Sequence, residues 1–276
     1  MKITILIDNT PSENLSLYSE HGLSIFVETD SLKFLCDTGA SDKFMANAET
    51  LGIDLGTVDF AVISHGHNDH SGGLVPFIEK HPQIPTFISS KVRYTHYFSA
   101  RHEKKKDIST DEKIFPGDFG HLTFPEKSCR YNEEVAFVYT DEHRFSMPFG
   151  NKYLTKQETD DAETADDFTH EMSVAINTDK GLVIIAPCSH NGAVNIIEAC
   201  RKFTGEDKVY AYIGGLHFVE SEHTTAEVAN FKQEISANYP DIKIFTGHCT
   251  CDLAKREIID SITNSEIFRT GTVIDL

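Results

Sequence analysis

The sequence of 276 residues predicts an α/β fold on two observations. Between residues 33 and 90, apolar runs of strand length alternate with segments of helical spacing, a pattern typical of layered strands and helices. Elsewhere, apolar runs repeatedly end in a histidine near a glycine. The length suits one large domain or two smaller ones. We predict a single domain over residues 1–276, with an insertion at about 91–170.

The first elements read as β-strands. Residues 1–8 alternate between apolar and polar side chains, and two apolar runs at 23–27 and 33–36 flank a polar turn, which predicts a hairpin. Asp37-Thr38-Gly39 follows, ahead of a predicted helix over residues 42–51. Asp37 suits either a buried structural carboxylate or a partner for a metal-binding histidine. The triplet occurs once, which argues against an aspartic protease, because that chemistry needs a carboxylate pair.

A histidine-rich stretch follows the next apolar run. It contains four side chains of the metal-ligand type, His65, His67, Asp69 and His70. The run at 59–63 predicts a strand before them, and Gly72-Gly73 opens a predicted helix after them, which places the four on a strand-to-helix loop. Alternation along an extended backbone puts the first two imidazoles on one side. Asp69 and His70 turn toward a neighbouring position, so the stretch predicts two adjacent metal sites.

Residues 91–170 interrupt the alternation of strands and helices. They carry many aromatic residues, a strand-like run at 134–139 and an acidic tract at 158–163. A lid over the site and a surface excursion that packs its own aromatic side chains both fit this composition. The acidic tract is typical of a solvated loop.

The second half of the chain repeats the theme of an apolar strand that ends in histidine. A hairpin is predicted over residues 172–186, and its second strand leads to His190 and a helix from Ala193. Two further strands, at 209–213 and 243–246, lead to His217 and His248. Parallel strands deliver their carboxyl ends to the same edge of a sheet, so we expect these histidines and His65 to share one edge. The other histidines are assigned to the surface, although His170 directly precedes a strand.

Charge and composition favour some partners and one cellular compartment over others. The formal net charge is -18, and no extended basic arm offsets it, which argues against a nucleic-acid partner and an anionic membrane surface. No apolar run is long enough to span a bilayer, and the first residues lack the apolar stretch of a signal peptide, so we expect a cytoplasmic protein. The 6 cysteines form no Cys-x-x-Cys pair and are expected to be reduced thiols.

The ligand types indicate the class of metal. Imidazole and carboxylate ligands suit zinc, iron or manganese, whereas calcium and magnesium favour oxygen ligands alone. A closed structural zinc site is disfavoured, because such sites are usually rich in cysteine and compact in sequence. Three protein ligands leave a position for water, whose pKa a catalytic metal lowers to about 7. Hydrolysis is therefore the expected chemistry.

The motif His65-x-His67-x-Asp69-His70 after an apolar strand, with Asp37-Thr38-Gly39 upstream, resembles the metallo-β-lactamase-fold superfamily. The resemblance implies a four-layer αββα sandwich. It also implies two ligand sets: His65, His67 and His190 for one metal, and Asp69, His70 and His248 for the other.

Three later motifs resemble a branch of that superfamily known as metal-dependent hydrolases. They are Cys188-Ser189-His190-Asn191-Gly192, Gly214-Gly215-Leu216-His217 and His248-Cys249-Thr250. The branch includes a dihydropterin-linked ribofuranosyl-aminobenzene 5'-phosphate synthase. This chain has Pro187 and Cys251 at positions where the branch implies glycine. Cys188 and its neighbours also stand where the superfamily often has a metal-bridging aspartate. One or two bound ions, and a thiolate contact from Cys188, therefore stay open.

The resulting prediction is a metal-dependent hydrolase that uses a metal-bound hydroxide on a small molecule, with a phosphate ester or a pterin-related compound as candidate substrate. Zinc is the expected metal, as one or two ions, with iron or manganese as alternatives. Asp69 and His217 are assigned to catalysis, and Ser189, Asn191 and His217 to substrate binding. His217 also suits a structural role.

Three alternatives remain open at this point. They are a nucleic-acid phosphodiesterase, a di-iron redox protein, and a non-catalytic module whose metals shape a ligand-binding pocket. The sequence leaves the oligomeric state undetermined.

Overall fold

A computed structural model describes residues 1–101, 104–115, 120–159 and 161–276. In chain order the strands are β1 (Lys2–Ile7), β2 (Ser24–Glu28), β3 (Lys33–Cys36), β4 (Phe60–Ile63), β5 (Pro85–Ile88), β6 (Thr95–Ser99), β7 (Lys106–Asp107), β8 (His121–Thr123), β9 (Cys129–Arg130), β10 (Val135–Tyr139), β11 (Leu154–Glu158), β12 (Thr164–Ala165), β13 (Met172–Thr178), β14 (Gly181–Ile185), β15 (Val209–Ile213), β16 (Lys243–Thr246), β17 (Ser265–Ile267) and β18 (Val273–Asp275). The α-helices are α1 (Lys43–Thr50), α2 (Asn68–Ser71), α3 (Leu74–Lys80), α4 (Ala193–Thr204), α5 (Thr224–Asn238) and α6 (Asp252–Ser261). Short 3-10 helices span Leu55–Thr57, Ser90–Val92, Glu112–Ile114 and Phe149–Tyr153.

The chain divides into two compact units. The first unit contains Met1–Glu126, Tyr153–Asp166 and Phe268–Leu276, and the second contains Lys127–Lys152 and Asp167–Ile267. The single domain expected over residues 1–276 stays a prediction.

The first unit is built on a mixed sheet in the order β18-β1-β2-β3-β4-β5-β8. The predicted hairpin is confirmed, because β2 and β3 pair in antiparallel register, and β3, β4 and β5 then run parallel. Every residue of β4 is buried, as expected for an apolar strand in the middle of a sheet. Helices α1 and α3 contribute Phe44, Leu74 and Phe77 to the apolar core beside this sheet.

The stretch 91–170 contains more regular structure than its sequence indicates. Strands β12, β11, β6 and β7 form a small sheet in the first unit, and the strand-like run at 134–139 corresponds to β10 of the second unit. A lid role for this stretch stays a prediction. Parts of it lie outside the described residues, namely His102–Glu103, Pro116–Phe119 and Asp160, the last of which belongs to the acidic tract.

The second unit is built on a sheet in the order β17-β16-β15-β14-β13-β10-β9. The predicted hairpin of β13 and β14 is confirmed as an antiparallel pair, and β14, β15 and β16 run parallel. Helix α4 ends at Gly205, whose φ of 80° gives the left-handed turn that glycine adopts readily. Buried side chains of α4, α5 and α6, including Ile197, Phe231 and Ile258, form the core of this unit.

This topology confirms part of the predicted sheet edge and corrects the rest. The parallel strands β14, β15 and β16 bring their carboxyl ends, and so the segments with His190, His217 and His248, to one edge. Strand β4, which precedes His65, belongs to the other seven-stranded sheet. An apolar strand that ends in histidine looks the same in either sheet, so the pattern did not reveal this division. Within the part of the chain described by the structure, no helix is both long and apolar enough to cross a membrane.

Candidate metal centre

The four ligand-type side chains of the histidine stretch lie close together at the end of β4. The ring centroids of His65 and His67 are 4.5 Å apart, and those of His65 and His70 are 4.3 Å apart. All three rings belong to buried residues. The prediction of a loop is corrected in one respect, because Asp69 and His70 lie within helix α2. The His70 ring nevertheless stays beside the His65 ring.

Asp37 orients His70 and the loop that precedes it. One carboxylate oxygen of this fully buried residue lies 2.6 Å from Nδ1 of His70. The carboxylate also accepts hydrogen bonds from the backbone N–H and the hydroxyl group of Ser64, both at 2.7 Å. A carboxylate can only accept, so His70 carries its proton on Nδ1 and its Nε2 presents a lone pair. Of the two roles weighed for Asp37, its contacts support the histidine partner.

Ser64 extends the same network to His65. Its hydroxyl oxygen lies 2.8 Å from Nδ1 of His65 and donates its own proton to Asp37. The hydroxyl oxygen therefore accepts a hydrogen bond from Nδ1–H of His65, which leaves the lone pair of His65 on Nε2. One carboxylate thus fixes two imidazoles in the tautomer that binds metals through Nε2.

Asp69 faces two histidines. Its Oδ2 lies 3.7 Å from Nε2 of His70 and 3.4 Å from Nε2 of His21. The His21 side chain is 69% exposed, which agrees with its assignment to the surface. Because His21 reaches Asp69 from the solvent side, it is an additional residue of the site that the sequence pattern did not indicate.

His67 is held by an acidic and an aromatic neighbour. Its Nε2 lies 3.6 Å from Oδ2 of Asp166, and its ring meets the Tyr97 ring edge to face at a centroid distance of 5.5 Å. Tyr97 also explains why residue 66 is a glycine, because a Cβ atom at that position would collide with the tyrosine ring. Asp166 was not predicted, since nothing in its polar surroundings marks it as a buried carboxylate.

In the second unit, His190 is positioned through its ring and its backbone. The ring stacks on Phe168 at 4.6 Å, and its Nδ1 lies 3.2 Å from Oδ1 of Asn151. The amide nitrogen of Asn151 donates to the carbonyl group of His190 at 2.7 Å, which fixes the orientation of the asparagine. Asn151 Oδ1 therefore accepts from Nδ1–H, and Nε2 of His190 keeps its lone pair. The backbone N–H of His190 donates to Glu171 Oε1 at 2.8 Å.

Glu171 is a buried carboxylate at the base of this loop. Its second oxygen accepts from the backbone N–H of Asn191 at 2.9 Å and from the Asn191 side-chain amide at 2.8 Å. Burial raises the pKa of Glu171, and the hydrogen bonds from Asn191 and His190 oppose that rise. The neighbouring His170 is also buried, so its assignment to the surface was wrong.

Ser189 and Asn191, the predicted substrate contacts, are both buried and engaged with protein groups. The Ser189 hydroxyl contacts the carbonyl oxygen of Gly215 and the hydroxyl group of Tyr212. Asn191 is bonded to Glu171, and its Oδ1 lies 2.7 Å from Nε2 of His143. These contacts support the shape of the loop. A role in substrate binding stays a prediction for both residues.

His217 and His248 lie at the same edge together with two cysteines. The ring centroids of His190 and His217 are 4.1 Å apart. Donor atoms of Cys188, His190 and His217 all lie within 4.8 Å of one another, as do those of Cys188, His248 and Cys249. The second unit therefore groups nitrogen and sulfur ligands in a space of metal-site size.

Backbone strain is concentrated at these positions. Asp37, Ser189, His217 and His248 are non-glycine residues with φ values of 61°, 62°, 53° and 47°. Left-handed backbone is costly for side-chain-bearing residues and persists where the surrounding structure enforces it, often at functional sites. Ser189, His217 and His248 are predicted site residues, and Asp37 orients His70.

The donor set fits a transition metal. Protonated imidazoles repel one another, so buried rings about 4–5 Å apart are favoured as neutral ligands that share a cation. Carboxylate, imidazole and thiol donors suit zinc or iron. The predicted ligands His65, His67, Asp69 and His70 belong to the first unit, and His190 and His248 belong to the second.

Comparison with known proteins agrees with this chemistry. A sequence profile described as the Metallo-beta-lactamase superfamily matches residues 18–144. The chain is 28% identical over 265 residues to 7,8-dihydropterin-6-methyl-4-(beta-D-ribofuranosyl)-aminobenzene-5'-phosphate synthase of Methanocaldococcus jannaschii, covering 91% of this chain and 87% of that protein. It is also 28% identical over 133 residues to an anaerobic nitric oxide reductase flavorubredoxin of Vibrio vulnificus, covering 45% of this chain and 26% of that protein.

The fold is matched over the whole chain. A crystal structure of a metal-dependent hydrolase of the β-lactamase superfamily aligns with a TM-score of 0.83 at 24% identity, covering 100% of this chain and 99% of that one. Proteins with this fold usually bind metal ions, which agrees with the grouped ligand residues. The chain is therefore a metallo-β-lactamase-fold protein, and the resemblance predicted from its histidine motif is confirmed.

Proposed function

We propose that the protein is a metal-dependent hydrolase of a small molecule. The observation that carries the proposal is the state of three predicted ligands, His65, His70 and His190. Each has Nδ1 engaged by an oxygen of the protein, which leaves Nε2 as the ligand atom. A purely structural role would not require the same nitrogen to be oriented in all three.

The proposed ligands are the six residues predicted from sequence: His65, His67, Asp69, His70, His190 and His248. Zinc is the expected ion, with one or two per chain, and iron or manganese are the alternatives. When bound, such an ion supplies a coordinated water whose pKa falls to about 7. Asp37 and Ser64 hold two of the imidazoles by Nδ1 with Nε2 as the ligand atom, so these ligands need little rearrangement when the ion binds.

His217 and Asp69 are the proposed groups for moving protons. The His217 ring is buried and lies 4.1 Å from the His190 ring, so it would act beside the metal. An imidazole there can hold a proton at one nitrogen and deliver it to a leaving group. Asp69 is partly exposed, with 17% of its side chain accessible, and can accept a proton from the attacking water.

A phosphate ester or a pterin-related compound is the proposed substrate class. The support is the Methanocaldococcus jannaschii relative, whose name specifies a pterin-linked 5'-phosphate product and of which the alignment covers 87%. That relative is named a synthase, so bond cleavage in this chain has to be tested directly. The net charge of -18 favours a small substrate over a polyanionic nucleic acid.

The test uses the zinc-loaded full-length protein and a panel of p-nitrophenyl esters: phosphate, bis-phosphate and acetate. We expect turnover of at least one ester, and its loss in His65→Ala/His67→Ala. His121→Ala is the matched control, because His121 is an exposed histidine of β8 outside the ligand set, and it should keep wild-type turnover. Full activity in the double variant, or no turnover of any ester by the zinc-loaded wild type, would refute the proposal.

A further inference from the structure

Two thiols meet beside His248 at the carboxyl ends of the parallel strands. The sulfur atoms of Cys188, after β14, and Cys249, after β16, are 3.6 Å apart. A disulfide bond would bring them to about 2.05 Å, so the pair is a dithiol. Donor atoms of these two cysteines and of His248 all lie within 4.8 Å of one another.

The spacing of the sulfur atoms matches metal coordination. Two thiolates bound at about 2.3 Å to one tetrahedral zinc ion are separated by about 3.8 Å. The observed 3.6 Å lies close to that value. Cys188 and Cys249 therefore need little movement to serve as ligands of a single ion.

His217 and Gly215 lie next to the sulfur atom of Cys249. The backbone N–H of His217 donates to Cys249 Sγ at 3.3 Å, so this sulfur atom is held in place from one side. Gly215 makes room on the other side, because a Cβ atom at that position would collide with the same sulfur. His248 contributes to this geometry through its left-handed backbone, with φ of 47°, next to Cys249 in the chain.

We propose that Cys188, Cys249 and His248 form a thiolate-rich site for a thiophilic divalent ion such as Zn²⁺. Binding would release the thiol protons to solvent. The inference rests on the proposed function in that it names ligands for the same metal centre, and Cys249 is the ligand that no histidine motif indicates.

Cobalt substitution tests the site without relying on turnover. Reduced, chelator-treated full-length protein is titrated with Co²⁺, because cobalt bound by thiolates gives an intense near-ultraviolet charge-transfer band. We expect the band in the wild type, a band of about half the intensity in Cys249→Ser, and none in Cys188→Ser/Cys249→Ser. Loss of a ligand should also weaken Co²⁺ binding by at least about tenfold.

Cys251→Ser is the matched control. Cys251 lies two residues beyond Cys249, outside the proposed ligand set, at the start of α6 where serine is a favourable cap. It should keep the full band and the wild-type affinity. A bound-cobalt spectrum without a charge-transfer band, or an unchanged band in the double cysteine variant, would overturn the proposal.

A second measurement avoids substitutions altogether. In the wild type, Zn²⁺ should slow alkylation of Cys188 and Cys249 by iodoacetamide at least about tenfold, as read by peptide mass spectrometry, whereas Mg²⁺ should not. Equal alkylation with and without Zn²⁺ would overturn the inference. So would a disulfide between these two cysteines in the protein as isolated.

The outcomes separate this inference from the proposed function. If the wild type shows the thiolate band but hydrolyses no ester, the thiolate site stands and the hydrolase proposal fails. If Cys188→Ser/Cys249→Ser keeps wild-type metal affinity and turnover, the hydrolase proposal stands and the thiolate site fails.

Discussion

Replacing Glu171 with alanine should destabilise the protein and loosen the loop that carries His190. The buried carboxylate accepts three hydrogen bonds, from the backbone N–H groups of His190 and Asn191 and from the Asn191 side chain, at 2.8, 2.9 and 2.8 Å. In Glu171→Ala these three donors stay buried and lose their acceptor.

Two opposing effects determine how much Glu171→Ala lowers the free energy of unfolding. Each buried donor that loses its partner costs about 1–3 kcal/mol. Burial raises the pKa of Glu171, which means that desolvation of the carboxylate already offsets part of what its hydrogen bonds contribute. The three bonds also share one acceptor group, so their losses are not additive. We expect Glu171→Ala to lower the free energy of unfolding by about 3–5 kcal/mol.

A glutamine at position 171 tests the hydrogen-bond acceptors alone, because it keeps the shape of the glutamate side chain. Glu171→Gln keeps one acceptor oxygen but turns an amide group toward a donor, so we expect a loss of about 1–2 kcal/mol. The assay is urea unfolding of chelator-treated protein. Glu266→Ala is the control, because Glu266 is exposed on β17, and it should stay within about 0.5 kcal/mol of the wild type. A loss below about 1 kcal/mol for Glu171→Ala, with an unchanged urea dependence, would refute the reasoning.

Three further predictions concern other parts of the structure. In Asp37→Asn, asparagine can adopt the left-handed backbone of this position, but its amide group would face Nδ1–H of His70. The zinc affinity, measured by equilibrium dialysis, should therefore fall about 10–100-fold. An unchanged affinity would contradict this. Gly66→Ala should lose about 1–3 kcal/mol in thermal unfolding through its collision with the Tyr97 ring, and the same substitution made in a Tyr97→Val background should lose much less; an equal loss in both backgrounds would exclude that collision. Burial raises the pKa of Glu227 above 4.5, so its stabilising contribution is present below that pH and is lost as pH rises through the raised pKa. In urea unfolding, the free energy of unfolding of Glu227→Gln should therefore rise relative to that of the wild type between about pH 4 and about pH 7. A difference between the two proteins that does not change with pH would argue against the raised pKa of Glu227.

The strands and helices could be predicted well because their signals are local. Alternation and glycine-bounded apolar runs predicted the hairpins of β2 with β3 and of β13 with β14, and the helices α1, α3 and α4. The shared edge of β14, β15 and β16 was also predicted, because parallel strands bring their carboxyl ends to one side of a sheet. The assignment of β4 to another sheet depends on long-range pairing, which no local pattern contains.

The candidate ligands could be identified from sequence because metal ligands have recognisable types and spacing. The residues that orient them could not be found in this way. Glu171, Asp166 and Asn151 are ordinary polar residues in the sequence, and their roles arise only when folding buries them beside His190 or His67. Asp37 stood out because it ends a strand in a distinctive triplet, but the sequence left a structural carboxylate and a histidine partner as alternatives.

The cysteines, too, could not be paired from sequence alone. Cys188 drew attention because it stands where a bridging aspartate was expected, whereas Cys249 looked like a neighbour of His248 and nothing more. Their sulfur atoms are 3.6 Å apart although 61 residues separate them in sequence. A thiol pair of this kind becomes visible only when the parallel strands are placed side by side.

We propose that the buried histidines of this fold hold a catalytic transition metal. Elemental analysis of full-length protein purified without chelator tests this, followed by metal removal and zinc restoration during an ester assay. We expect one or two bound transition-metal ions per chain, loss of turnover on removal, and recovery of turnover with zinc. Protein that contains no transition metal and still hydrolyses the ester at full rate would contradict it.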